Sequence, residues 1–314
     1  MNRAPLALLL TFTACTVQAQ VSQTEYNFLR LPVSAHAAAL GGDVISVVEN
    51  DASMIFHNPA LLTSVSDNTL GLNFMNYMSG ANTASATWCR TVRERAAWAV
   101  SAQYMNYGKM KEVDENNVIT GDFSAKDISL AGYFSYMLTD KIAGGVTVKC
   151  ISSYIGDYSS LAMGVDLGVN YQDAEKGWSV SAVVKNLGGQ LDPYDDEYEK
   201  MPVDLQIGAS KRLVGTPLRF SASLVDLNHT DYKFINHWVF GLDVLFSQTM
   251  WVGMGYNLRR ANEMRIVNGE EESSHGAGLS FGAGLNLDRL HINAAYGKYH
   301  VSSSSVLINL SYTL

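Results

Sequence analysis

The chain has 314 residues, enough for one large domain or two small ones, and only 17% of them are charged, against about 25% in ordinary soluble domains. A formal net charge of −8 and an isoelectric point near 5.3 argue against a nucleic-acid partner, which selects a basic face. Glycine at 26 residues and tyrosine at 16, with proline at only 6 and no apolar run of roughly 18 residues that could form a transmembrane helix, suit a β-rich membrane protein.

Residues 1–19 read as a secretory signal. Arg3 supplies the positive start and Ala4 to Ala14 the apolar core. "VQA" at 17–19 offers small cleavage-site residues, so Gln20 begins the mature chain. The alternatives are a buried N-terminal helix and a lipoprotein acylated on Cys15, although bulky Phe12 stands where such signals usually carry leucine. Export leaves Cys89 and Cys150, which the strand pattern below puts on different strands and opposite faces, so no disulfide is expected. With no CxxC or HExxH spacing and no nucleophile–base set, the sequence predicts no metal, no cofactor and no catalysis.

Residues 20–67 follow neither helix nor strand periodicity. Gly41 and Gly42 allow positive φ or a close backbone approach. In "DASMIFHNPALL", residues 51–62, Pro59 biases Asn58 away from the α region, and the Asn58 side chain can bond its own backbone in an Asx-turn. Ala60, Leu61 and Leu62 then start a short helix or anchor the segment. Asp43, Glu49 and Asp51 are candidates to meet polar groups on a surrounding wall. His57 reads as a hydrogen-bonded structural residue, with ligation as the rarer alternative.

From residue 68 the pattern has period 2. Fourteen strands are predicted, at 68–78, 81–92, 96–108, 126–139, 141–154, 160–172, 177–186, 202–213, 217–228, 236–247, 249–260, 275–288, 289–299 and 304–314. In 160–172, Leu161, Met163, Val165, Leu167, Val169 and Tyr171 share one face, opposite Ala162, Gly164, Asp166, Gly168, Asn170 and Gln172. Strands in soluble proteins peak at about 5–6 residues, whereas a strand that crosses a bilayer needs about 9–11. Links after even strands are tight ("RER", "TD", "DAEK", "VGT", "SQ", "DR"), and the long links 109–125, 187–201, 229–235 and 261–274 all follow odd strands. Short periplasmic turns and long outer loops have this alternation. Tyr77, Trp88, Tyr104, Tyr107, Tyr154, Tyr171, Trp178, Trp238 and Trp251 lie near strand ends, as interfacial girdles or simply through β-propensity.

Eight strands already enclose a space that side chains can fill, so a barrel of fourteen needs a filler. The expected fold is therefore all-β: a 14-stranded antiparallel transmembrane β-barrel over 68–314, with residues 20–67 as an N-terminal hatch or plug.

Residues 28–62, "FLRLPVSAHAAALGGDVISVVENDASMIFHNPALL", carry a small-residue run, a short apolar strand, an Asp51–Ala52 step and "NPALL". In this order they resemble the plug of the FadL-like outer-membrane barrels. Within that group they are most similar to the PorV/PorQ family of the type IX secretion system, and the lead-in and modest length are nearer the PorQ type. Gly41, Gly42, Asp43, Asp51, Asn58, Pro59 and Ala60 form the hatch motif. The resemblance implies a non-enzymatic integral protein of the bacterial outer membrane, in contact with its lipid. It would hold a PorZ-like surface protein in a cargo-attachment complex with PorU and PorV. Its outer loops would then carry partner contacts, with Asp192, Tyr194, Asp195, Asp196 and Tyr198 in 188–202 and Arg265, Glu270 and Glu271 in 259–276 as candidates, against a plain solvated loop. The alternative within the group is a transporter of hydrophobic small molecules. That reading requires an apolar pocket behind the hatch and a lateral opening, and the glycine pairs 144–145 and 188–189 can disturb strand pairing.

Overall fold

Fourteen strands close into a ring in a computed structural model that describes residues 24–314 except 117, 248, 265, 269–270, 274–275 and 301–302. The expected signal at 1–19, Cys15, Arg265, Glu270 and the side chain of Glu271 lie outside the described residues. The wall strands are Thr69–Met78 (β1), Ala81–Val92 (β2), Ala96–Val113 (β3), Ile119–Thr139 (β4), Ile142–Ile155 (β5), Tyr158–Asp173 (β6), Trp178–Asp192 (β7), Asp204–Arg212 (β8), Leu218–Leu224 (β9), Trp238–Leu245 (β10) and Met250–Asn257 (β11). A small hairpin, Ile266–Asn268 (β12) with Glu271–Ser273 (β13), precedes Leu279–Asn286 (β14), Leu290–His300 (β15) and Ser303–Thr313 (β16). Wall strands pair antiparallel with their neighbours along the chain, and β1 pairs with β16, which removes both edges.

The alternation is inside out relative to a soluble sheet. Leu72, Phe74, Leu130, Phe134, Leu167, Met254, Phe281 and Ile308 point outward and are exposed. Asn73, Gln103, Asp127, Lys149, Asp166, Asn170 and Lys185 point inward and are buried. Cys89 is buried and Cys150 exposed, both free. Among the aromatic residues expected in girdles, Tyr104, Tyr154, Tyr171 and Trp178 are exposed. Trp251 is not: in β11 the even-numbered residues face out, which turns Trp251 into the lumen at 2% exposure.

Several predicted boundaries need correction. The strand predicted at 217–228 ends at Leu224, and that at 275–288 begins at Leu279. Residues 109–125 are not a long loop but the continuation of β3 and β4 into a ribbon that outruns its neighbours, since β2 stops pairing at Asn82↔Asn106 and β5 at Ala125↔Ile155. Its turn is held by Asp114 Oδ1, which accepts from the N–H groups of Asn116 (2.8 Å) and Val118 (2.9 Å). Beyond the barrel rim there is no lumen to face, so the ribbon lacks the apolar–polar alternation of a wall strand. The predicted strand 249–260 stops at Asn257, whose Oδ1 accepts from Arg260 N–H at 2.9 Å and caps the helix Leu258–Glu263. Strand β7 runs on to Asp192, so that residue ends a strand instead of lying in a loop.

The lumen is filled by residues 24–67. The helix Ala35–Ala39 packs against β11, β14, β15 and β16, the 3-10 helix Ala52–Phe56 against β1 and β2, and the 3-10 helix Pro59–Ser64 against β3 to β6. Residues 43–48, expected to include a short apolar strand, cross between these helices without strand pairing. The hydrophobic clusters are built around this inner segment: Phe28 and Leu29 meet Met105 and Ile151, Ile55 and Leu62 meet Tyr133, and Ala38 meets Met75 and Leu307. The segment mixes small and large apolar residues without helical or strand period because it must fit a curved, mostly polar wall.

Candidate functional site

Among the contacts of the inner segment with the wall, two involve the glycine and Asn-Pro motif residues and a third carries buried charge. The first lies under Asn58, Pro59 and Ala60. Asn58 is extended (φ −151°, ψ 113°) before Pro59, and its Oδ1 accepts from Ala60 N–H at 2.9 Å, the expected Asx-turn. Its Nδ2 also donates to Ile45 O at 3.0 Å, which ties the two halves of the segment together. The wall makes room with glycine. A Cβ on Gly145 would collide with the Pro59 and Ala60 backbone, and one on Gly168 with the Asn58 carboxamide. These two glycines are register partners on β5 and β6. The pair 144–145 therefore leaves strand pairing intact and opens the inner surface instead. At 188–189 the β6–β7 register does shift on either side of the glycines, between Leu161 and Ala162 and between Val165 and Leu167, but the two strands stay paired.

Asn58→Ala removes a cap and a buried tie within the segment at once. A lost cap costs typically about 1 kcal/mol, and leaving the Ile45 carbonyl unpaired adds roughly 1–3 kcal/mol. The expected result is a lower melting temperature with unchanged strand content, read by circular dichroism. An unchanged melt would show that the cap carries no stability.

The second place is the turn after the short helix. Gly41 and Gly42 both have positive φ, 111° and 103°. Gly41 lies against Val239, and a Cβ on Gly255 or Gly241 would run into Leu40. Asp43 Oδ2 accepts from Asn257 Nδ2 at 3.3 Å. Burial raises the Asp43 carboxyl above its ordinary range, and nearby Asp204 adds to the effect.

The third place carries charge. His36 Nδ1 lies 2.6 Å from Glu49 Oε1 and its Nε2 3.1 Å from Asp243 Oδ2. Arg219 meets Asp243 through Nε–Oδ1 at 3.0 Å and Nη2–Oδ2 at 2.8 Å, and approaches Glu49 at 3.6 Å. The His36 ring stacks on Trp251 with centroids 3.6 Å apart and planes 7° from parallel. A carboxylate at each imidazole nitrogen favours a proton on both, so the cluster holds two positive and two negative charges. Burial pushes His36 down, and Arg219, with Nη2 3.2 Å from Nε2, acts in the same direction. Glu49 and Asp243 outweigh both and hold the imidazole above its ordinary value. Glu49 is correspondingly held below the usual carboxylate range: burial opposes this, and His36 overrides it. Asp51 is tied separately, accepting from Ser53 N–H (2.8 Å) and Oγ–H (2.7 Å) and from Asn293 Nδ2 (3.3 Å).

Nothing in the strand pattern distinguishes Arg219, Asp243 or Trp251 as members of one cluster. The available signals lie in the inner segment: Glu49, expected to meet a polar wall, and a lone histidine, His36, in the small-residue run "SAHAAALGG". His57 makes the kind of hydrogen bond its sequence context suggests: its Nε2 accepts from Ser34 N–H at 3.4 Å.

Of the loop candidates, Asp195, Asp196 and Tyr198 are exposed, as is Asp192 at its strand end. Tyr194 is half-buried and donates to Ser153 Oγ at 2.5 Å, so it folds over the lumen mouth rather than reaching outward. The same loop also holds the start of the inner segment, where Glu25 N–H donates to Lys200 O at 3.1 Å.

No protein-family model and no curated protein matches the sequence. Solved structures do. The Pseudomonas putida toluene transporter TodX superposes with a TM-score of 0.59 at 13% identity, over 91% of this chain and 99% of that one. The monoaromatic hydrocarbon channel CymD gives 0.58 at 15%, over 90% and 97%. A Pseudomonas aeruginosa FadL homologue gives 0.52 at 12%, over 90% and 98%. The chain has the FadL-like barrel fold. At these identities the likeness is one of backbone architecture. Here the FadL-like wall and its filler are matched through this chain's own glycines and charges.

Proposed function

We propose that this FadL-like chain is a non-enzymatic integral protein of the bacterial outer membrane that serves as a sealed anchor. In this role it holds a PorZ-like surface protein in a type IX attachment complex with PorU and PorV. The observation that carries the reading is the lumen. It is packed with the chain's own residues 24–67, its wall is polar, and the spaces left between filler and wall are small or polar: about 20 Å³ beside His57, about 140 Å³ beside Thr63 and Ser64, and about 350 Å³ bordered by Glu49, Asp51 and Asn293. A hydrophobic solute gains nothing by entering such a space. The outward apolar face supports insertion in lipid, with the tight turns on the periplasmic side and the β3–β4 ribbon and the 193–203 loop outside. The residue order of 28–62 supports the PorQ-type assignment.

A channel for hydrophobic small molecules is the second reading, and the solved neighbours favour it, since TodX and CymD are named for hydrocarbon passage. An apolar groove of about 530 Å³ on the outer face, where Ala209 and Ala222 lie low between Trp178, Phe220 and Phe240, also supports it.

Deletion in the native cell separates the two. The anchor reading expects the PorZ-like protein to leave the surface and cargo attachment to stop; unaltered surface localisation rules it out. Loss of hydrophobic solute uptake with normal secretion establishes the channel instead.

A further inference from the structure

The cavity between the inner segment and β3–β7 is lined by positive and neutral polar groups and by apolar side chains, and none of its lining residues is acidic. Its two cations differ. Lys149 is neutralised, with Nζ 2.7 Å from Asp166 Oδ2 and donating to Asn186 Oδ1 at 2.8 Å. Lys185 is 7% exposed, and among the described residues no carboxylate forms an ion pair with it within 4.0 Å. Asp43 feels its charge only through space. Its cross-strand partner Asp204 is engaged elsewhere, accepting from Asp226 N–H at 2.7 Å and Gln206 Nε2 at 2.6 Å.

The third group is His57, 4% exposed. Because Nε2 accepts from Ser34, the ring proton sits on Nδ1, and Nδ1 is buried with no hydrogen-bond partner. Burial, with Lys185 close by, holds the imidazole well below its ordinary range, so it stays a neutral donor. An unpaired buried ammonium and an orphaned buried N–H are each unfavourable, and Lys185 and His57 both line one small space. Roughly 10–15 Å³ admits one water-sized occupant, so a space of about 20 Å³ is enough for a single monatomic ion.

We propose that this cavity is a structural anion site that takes one halide ion, chloride in the cell, between the Lys185 ammonium and the His57 Nδ1–H. The ion balances the lysine charge in the lumen and ties the inner segment to the wall. The inference is independent of whether the barrel anchors or transports.

The mature barrel crystallised with bromide in place of chloride tests it. An anomalous bromine peak between Lys185 and His57 is expected. No peak there, or peaks only on the outer surface, overturns the proposal. In solution, the melting temperature of the wild type should rise with chloride concentration at constant ionic strength, with gluconate as the balancing anion, because a ligand that binds only the folded state stabilises by mass action. Lys185→Met should lose that dependence, and a flat wild-type response also overturns the proposal. The bromide experiment uses the wild type, so it decides the matter even if the variant does not fold.

Discussion

Gly145→Ala should expel the inner segment from the wall while leaving the barrel closed. The new Cβ meets the Pro59 and Ala60 backbone, which cannot swing aside as a flexible side chain can. Overpacking costs typically about 1–3 kcal/mol, and a backbone obstacle puts this site at the upper end. Strand pairing is untouched, because Gly145 keeps its Ser135 and Gly168 partners. The variant should therefore retain heat-modifiable gel migration, while residues 24–67 become open to protease and ion conductance rises in planar bilayers. Gly144→Ala is the matched control. It faces outward, where its Cβ meets only Leu138, at 3.4 Å. Equal protease resistance in the two variants would show that the segment does not depend on this contact.

Arg219→Met should have the other large effect. It leaves Glu49 and Asp243 with one cation between them, and breaking a buried ion pair on one side costs about 3–5 kcal/mol. The loss should appear as a lower melting temperature and easier cleavage within the inner segment. Arg219→Met with Asp243→Leu should recover much of it, because an apolar pair of similar volume replaces a balanced one and His36 keeps Glu49. No recovery in the double variant would mean that Arg219 acts by packing, not by charge.

The same cluster sets a pH dependence. His36 has a folded pKa above 6.5, so its contribution is complete below 6.5 and is lost as pH rises through the folded value. Glu49 is shifted the other way, so its contribution is present above 4.5 and is lost as pH falls through its lowered value. Attachment of the segment should thus be strongest between those limits and weaken on the alkaline side. Protease sensitivity measured across pH checks this, and His36→Gln should flatten the alkaline limb.

Much of the architecture is legible in the sequence because it is local. Outward and inward residues alternate along each wall strand, so "LAMGVDLGVNYQ" shows its two faces without any partner, and fourteen such runs can be counted. The Asx-turn at Asn58 is readable for the same reason: cap, proline and donor lie within three residues. The reading fails where a local pattern loses its environment. The β3–β4 ribbon leaves the barrel and loses its alternation, and β11 gives way to a helix once Asn257 offers a cap.

The barrel thus follows from the chain read in isolation: a period of 2 repeated fourteen times, with a non-periodic segment in front. How that segment is held is settled only in three dimensions. Four strands separate Gly145 from Pro59, and 207 residues separate His36 from Asp243. Which inward glycine receives backbone, and which inward charge finds its counterion, depends on the closure and register of the whole ring. No spacing along the chain encodes either, because the contacts form only when β1 meets β16 around the filled lumen.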